Sequence, residues 1–217
     1  MSDRGRLYAW LAFVGAFAAL NYGARFSGDQ PDRSVLYTYS AAVLGFVQLV
    51  LILGIMLLIT RGRPKREYLA MRRPRSWPRA AGLAVLVLVG VFMLAGILQP
   101  FLDPGHEQGL VPERWRPENA TAFALNFAVV ALAAPVVEEL TFRGIGFRLL
   151  LPFGQITAIV LVGIFFALAH GLVEALPILA AFGSGLAFLR ARTESVYPGM
   201  LVHAAFNSLV LALAVTT

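Results

Sequence analysis

The sequence contains no cysteine, which removes disulfide frameworks, thiolate metal sites and cysteine nucleophiles together and leaves any chemistry to other side chains. Charge is scarce as well. Only 14% of the 217 residues are Asp, Glu, Lys or Arg, against about a quarter in soluble domains, while 59% are hydrophobic. That balance argues against a water-soluble globule. There is a single lysine, Lys65, and no long repeat, low-complexity stretch or H-E-x-x-H motif is present. What the chain does have is apolar residues gathered into runs long enough to cross hydrocarbon, which takes about 17 to 25 residues. An all-α, polytopic integral membrane protein is expected. The net charge of +6 does not point to nucleic acid, because the basic residues cluster beside the apolar runs, where topology and anionic lipid account for them.

The first run, Tyr8 to Ala24, has Arg4 and Arg6 before it and Arg25 after it. A signal peptide competes with a retained helix here, but Leu20, Asn21, Tyr22 and Arg25 make a poor small-residue cleavage site, so a retained helix is preferred. Leu36 to Thr60 and Ala80 to Leu102 give two further spans without formal charge. Between them, loop 61–79 carries Arg61, Arg63, Lys65, Arg66, Arg72, Arg73, Arg75 and Arg79 against Glu67 alone, which places it and the N-terminus in the cytoplasm. Alternation then puts the regions around 143–148 and 190–192 inside and leaves Arg25, Arg33, Arg114 and Arg116 outside, with Arg143 discounted if it lies within the membrane. Asp103 to Glu118, with Pro104, Gly105, Pro112 and Pro117, reads as a turn-rich outer linker in which His106 is incidental. Residues 1–118 therefore read as N-terminal membrane helices and 119–217 as a second membrane unit. Seven transmembrane helices are expected, with an eighth if the segment near 138–150 breaks away from the one before it.

The apolar runs after about Ala120 contain ionisable groups, and such groups at membrane depth cost at least about 2.5 kcal/mol each and mark functional sites by default. Glu138-Glu139-Leu140-Thr141-Phe142-Arg143 sets Glu139 and Arg143 four apart on one helical face, acid first, as an i,i+4 pair prefers. That leaves Glu138 free. Phe166 precedes His170 by one turn, and His203 precedes Asn207 by one turn on a shared face. Plainer readings stand beside each cluster: the acids as the interfacial end of a helix with Arg143 and Arg148 snorkelling to headgroups, His170 as a satisfied interhelical hydrogen-bonder, Asn207 as an ordinary polar contact between helices, and Phe166 as packing. The joint geometry favours the functional reading. Pro152-Phe153-Gly154 is the best break between Glu138 and His170 and lies midway between them, so two antiparallel helices turning there bring both to one depth, about 24 Å from the turn. A carboxylate and an imidazole facing each other in a bilayer suit general-base work. His203, about 10 Å from the start of its helix, is shallower. For all to converge, the 152–154 turn must project past the surface or the 190–197 turn must be drawn in.

E-E-x-x-x-R, F-x-x-x-H and H-x-x-x-N, in that order on successive hydrophobic helices, resemble the CAAX protease and bacteriocin-processing family (CPBP, also called ABI) of intramembrane proteases, over about residues 120–215. The resemblance implies a catalytic membrane domain in 119–217 that hydrolyses peptide bonds in membrane-anchored or C-terminal-tail substrates. Glu138 would activate water with help from His170, His203 and Asn207 would stabilise the oxyanion, and Glu139 and Arg143 would hold the first helix in register. The family has also been described as metal-dependent, and Glu138, His170 and His203 admit a three-ligand zinc site. Metal-free glutamate catalysis without a cofactor is the favoured alternative. Expected partners are a membrane-anchored peptide or protein substrate and the lipid bilayer, and the expected location is a prokaryotic cytoplasmic membrane. A noncatalytic peptide-binding immunity or scaffold protein, and a small proton-linked transporter with a buried Glu and His relay, are the competing functions.

Overall fold

The computed structural model describes residues 1–27, 34–102, 107 and 115–215. Arg33, Asp103, Pro104, Gly105, His106, Pro112 and Arg114 lie outside the described residues. The described chain is helical without strands: α1 (Asp3–Arg25), α2 (Tyr39–Ile59), α3 (Trp77–Leu98), α4 (Pro117–Phe153), α5 (Gln155–Ala169), α6 (Leu176–Thr193) and α7 (Tyr197–Ala214). Five of these, α1 to α4 and α7, are long and apolar enough to cross a membrane. Helix α5 is apolar but has 15 residues, and α6 ends in Arg190 and Arg192. The apolar surface matches a lipid setting, since Leu44, Leu51, Leu58, Leu86, Met93 and Ile97 all face outward.

Helix boundaries follow local chemistry. The hydroxyls of Ser2, Thr38 and Ser76 accept from the backbone N–H groups of Gly5, Ala41 and Arg79 and cap α1, α2 and α3. The Ser76 cap, with Pro78 in the first turn, starts α3 three residues before the expected Ala80, and Pro100 stops it at Leu98 rather than Leu102. Helix α4 is continuous for 37 residues, so the break that would have made an eighth helix is not present in it. It is π-helical over Ala128–Ala133 and Leu140–Gly146. Pro135 has no N–H and crowds the carbonyl four residues earlier, that of Ala131, which lies in the first widened segment. Each widened segment also takes a side-chain donor from another helix: Asn207 Nδ2 donates to the Val130 carbonyl at 3.0 Å and Trp10 Nε1 to the Thr141 carbonyl at 3.0 Å.

At the α4–α5 turn, Gly154 has φ +106°, a conformation only glycine adopts without strain. Leu151, Phe153 and Ile156 around it are exposed. The α6–α7 turn is the opposite. Ser195 and Val196 are fully buried, the Val196 N–H donates to the Ala70 carbonyl at 3.2 Å, the Ser195 hydroxyl donates to the Arg72 carbonyl, and Tyr68, Leu69 and Ala70 are themselves buried. The 190–197 turn is thus buried beneath the basic loop, while the 152–154 turn is left open.

The core spans the whole chain. Trp10 of α1 is wholly buried, edge-on to Phe142 and Phe165, and it abuts Gly146, where an added Cβ would lie 2.3 Å from the indole. Arg6 is buried beneath the end of α2, donating to the carbonyls of Ile59 and Arg61 at 3.0 Å each. Those are carbonyls that a helix end leaves without partners. The basic N-terminus therefore also caps a helix.

Candidate active site

Glu138 and Glu139 sit on Ala134–Glu139, the α-helical stretch of α4 between its two π-helical segments. Adjacent in sequence, they face different surroundings. The Glu139 side chain is completely buried, whereas Glu138 keeps 23% of its side chain exposed. Arg143, also fully buried, donates from Nη1 to Glu139 Oε1 at 2.7 Å and from Nη2 to the Gly183 carbonyl of α6 at 2.8 Å. Its guanidinium lies 4.4 Å from the ring centre of Phe166, so the cation meets a carboxylate, a carbonyl and an aromatic face, the compensation a buried charge requires. The Gly183 carbonyl reaches it because α5 and α6 pack backbone to backbone: a Cβ on Gly163 would lie 2.6 Å from the Ser184 nitrogen.

His203 of α7 joins the two acids. Its Nδ1 lies 3.3 Å from Glu139 Oε1 and its Nε2 lies 3.7 Å from Glu138 Oε2. Because a carboxylate can only accept, Nδ1 carries the proton and Glu139 orients the ring so that Nε2 faces Glu138. Gly199, one turn before His203, makes room for this: a Cβ there would fall 2.4 Å from Glu139 Oε2. His170 is held differently. Its Nδ1 donates to the Phe166 carbonyl at 2.7 Å, which leaves Nε2 as the lone-pair nitrogen. The Phe166 ring lies 4.6 Å from His170 and 5.6 Å from His203 between centroids, so this aromatic residue spaces both imidazoles and the guanidinium at once.

Glu138, His170, His203 and Asn207 line one cavity of about 300 Å³, closed by apolar side chains of α2, α4, α6 and α7. Glu138 Oε2 is buried there without a hydrogen-bond partner. A second cavity of about 470 Å³, between α1, α2, α4 and the end of α5, meets the first at Gln48, Leu49, Glu138 and His170. All six residues singled out from the sequence, Glu138, Glu139, Arg143, His170, His203 and Asn207, are thus brought together, but at two levels. Glu139 and Arg143 lie behind the cavity wall and the other four form the wall. Asn207 also makes the plain interhelical contact, through the Val130 carbonyl.

Among the described residues, no group of three or more His, Asp or Glu side chains is arranged to hold a metal ion. Sequence reasoning overlooked the groups that hold His170. At about 22 Å by the rise per residue, α5 is shorter than the roughly 30 Å of hydrocarbon, so its last carbonyls need protein partners. Asn21 and Tyr22 of α1 supply them, donating to the carbonyls of Ala169 at 2.7 Å and Leu172 at 3.0 Å. The carboxylate of Glu107 accepts from the N–H groups of Val173, Glu174 and Ala175 ahead of α6 and pairs with Arg25 at 3.1 Å. No motif marks these residues; the length of α5 is the available signal.

Residues 120–209 match the family model described as type II CAAX prenyl endopeptidase Rce1-like. The matched segment contains Glu138, Glu139, Arg143, Phe166, His170, His203 and Asn207 and agrees with the family resemblance that those motifs carry. At the level of the family it supports a CAAX intramembrane protease and an integral membrane location. No curated protein and no solved structure gives a match.

Proposed function

We propose that this chain, whose residues 120–209 match the Rce1-like family, is a glutamate-type intramembrane endopeptidase acting on membrane-anchored or C-terminal-tail peptides. One observation carries the reading: four polar side chains from α4, α5 and α7 converge on a single apolar cavity, with the unpartnered Glu138 Oε2 among them. Water attacks the scissile carbonyl carbon while Glu138 takes its proton, with the Nε2 lone pair of His170 orienting the same molecule. The developing oxyanion is met by His203 Nε2–H and the Asn207 carboxamide. For His203 this calls for the imidazolium form, since Nδ1 already donates to Glu139; in that form the charges of Glu138, Glu139, Arg143 and His203 cancel, which suits a site at membrane depth. Collapse of the tetrahedral intermediate breaks the C–N bond, and the proton held by Glu138 passes to the leaving amine. Donors fixed in a low-dielectric site are worth about 100- to 1000-fold each in rate.

The site requires no metal in this reading, so cleavage is expected to survive exhaustive chelation. The abundance of arginine in loop 61–79 supports a cytoplasmic placement of that loop and of the N-terminus in a prokaryotic membrane. The test is a reconstituted assay with a membrane-anchored peptide. Glu138→Ala and His203→Ala are expected to accumulate as folded protein and to lose at least about 100-fold in cleavage rate. Full cleavage by both variants would refute the assignment. Binding of the peptide without cleavage by the unaltered chain would leave the noncatalytic scaffold, and proton flux without cleavage would leave the transporter.

A further inference from the structure

Helix α2 has the highest mean hydropathy of the five candidate spans, 2.8, yet it carries Gln48 nine residues from its start, about 14 Å along the axis and so near the middle of a hydrocarbon layer of about 30 Å. Several other polar side chains of the apolar segments spend their donors on backbone carbonyls: Asn21 on Ala169, Thr60 on Met56, Asn126 on Leu36, Thr38 and Ala122, Thr141 on Val137, and Asn207 on Val130. Gln48 does not. Its residue is exposed, and among the described residues its carboxamide meets no hydrogen-bond partner. An amide left unpaired at that depth is costly, so it has another use. Gln48 also stands where the two cavities join, across from Glu138 and His170 and on a helix that contributes none of the proposed catalytic groups.

We propose that Gln48 is a substrate-binding residue whose carboxamide pairs with a backbone amide of the substrate beside the scissile bond. The assignment rests on the protease reading above. A peptide drawn into this groove loses water from its N–H and C=O groups, and the lining that α2 itself gives the cavity beside Gln48, Gly45 and Leu49, has no side chain that replaces it. A carboxamide presents one donor and one acceptor side by side, the complement of a peptide unit. Any chain that runs from one cavity to the other past Glu138 passes Gln48 at the junction.

The experiment compares full-length wild-type enzyme and Gln48→Leu in vesicles on a membrane-anchored fluorogenic peptide, together with a series of the same peptide in which each backbone amide flanking the cleaved bond is replaced by an ester. Loss of one uncharged hydrogen bond corresponds to about 3- to 10-fold in binding. Gln48→Leu is expected to raise KM by about that factor with kcat within about twofold and with unchanged thermal stability. At one ester position the wild type is expected to lose the same factor, and Gln48→Leu to lose nothing further. An unaltered KM, a fall in kcat alone, or ester penalties that persist in full in Gln48→Leu would overturn the assignment. If the wild type leaves the peptide uncut, the protease reading fails and this assignment falls with it, whereas wild-type cleavage matched by Gln48→Leu sinks this assignment alone.

Discussion

The last four helices carry every motif of the proposed chemistry, while the first three carry none, and yet the two regions divide the labour of the site between them. In α4 to α7 the polar groups face one another: Glu139 meets Arg143 and His203, and Glu138 faces His203 across the cavity. In α1 the polar groups face backbone: Trp10 holds the second π-helical segment of α4, Asn21 and Tyr22 hold the chain on either side of His170, and Arg6 holds the end of α2. Chemistry in a bilayer needs both, because side chains that react must be left partly open and the backbone that aims them cannot be left open at all.

The comparison breaks most readily at the buried ion pair. Arg143→Ala strands Glu139 as an unpaired charge in a dry interior and is expected to cost about 3 to 5 kcal/mol, read as a collapse of folded yield in detergent. Replacing both partners with Met and Leu is expected to restore yield without activity, as two apolar groups leave no orphan charge. Normal yield and activity from Arg143→Ala would show that the pair is incidental. A smaller effect is expected from Asn21→Ala, which leaves the Ala169 carbonyl without its donor at a cost of about 1 to 3 kcal/mol. Because His170 is the next residue, kcat is expected to fall along with stability. A variant that loses stability but keeps kcat would reduce α1 to a scaffold and sharpen the division between the regions. The least effect belongs to Arg72→Ala: its pair with Glu194, at 2.8 Å, has both side chains about half exposed, so the change in melting is expected to correspond to no more than about 1 kcal/mol.

Much of the site was legible before any coordinates. The i,i+4 spacing of Glu139 and Arg143 and the Pro-Phe-Gly break between Glu138 and His170 are local features, and local geometry translates spacing into contact with little ambiguity. Three things were not legible. The burial of the turn at Ser195 depends on carbonyls of Ala70 and Arg72, more than a hundred residues away. The separate surroundings of Glu138 and Glu139, identical letters side by side, are decided by which face α4 turns to α7. Gln48 drew no notice because a lone glutamine in an apolar run has no partner in sequence; its position opposite Glu138 is created by the packing of α2 against α4.

By itself the sequence determined that the chain is helical, that it is built for a membrane, and which six side chains are candidates for chemistry, because apolar run length and ionisable residues within those runs are properties of consecutive letters. Tertiary structure alone decided which acid is locked and which is open, which histidine is steered by a carboxylate and which by a carbonyl, and where two cavities meet. Those choices depend on contacts between helices distant in the chain, whose rotation and depth are set by packing that no local pattern encodes.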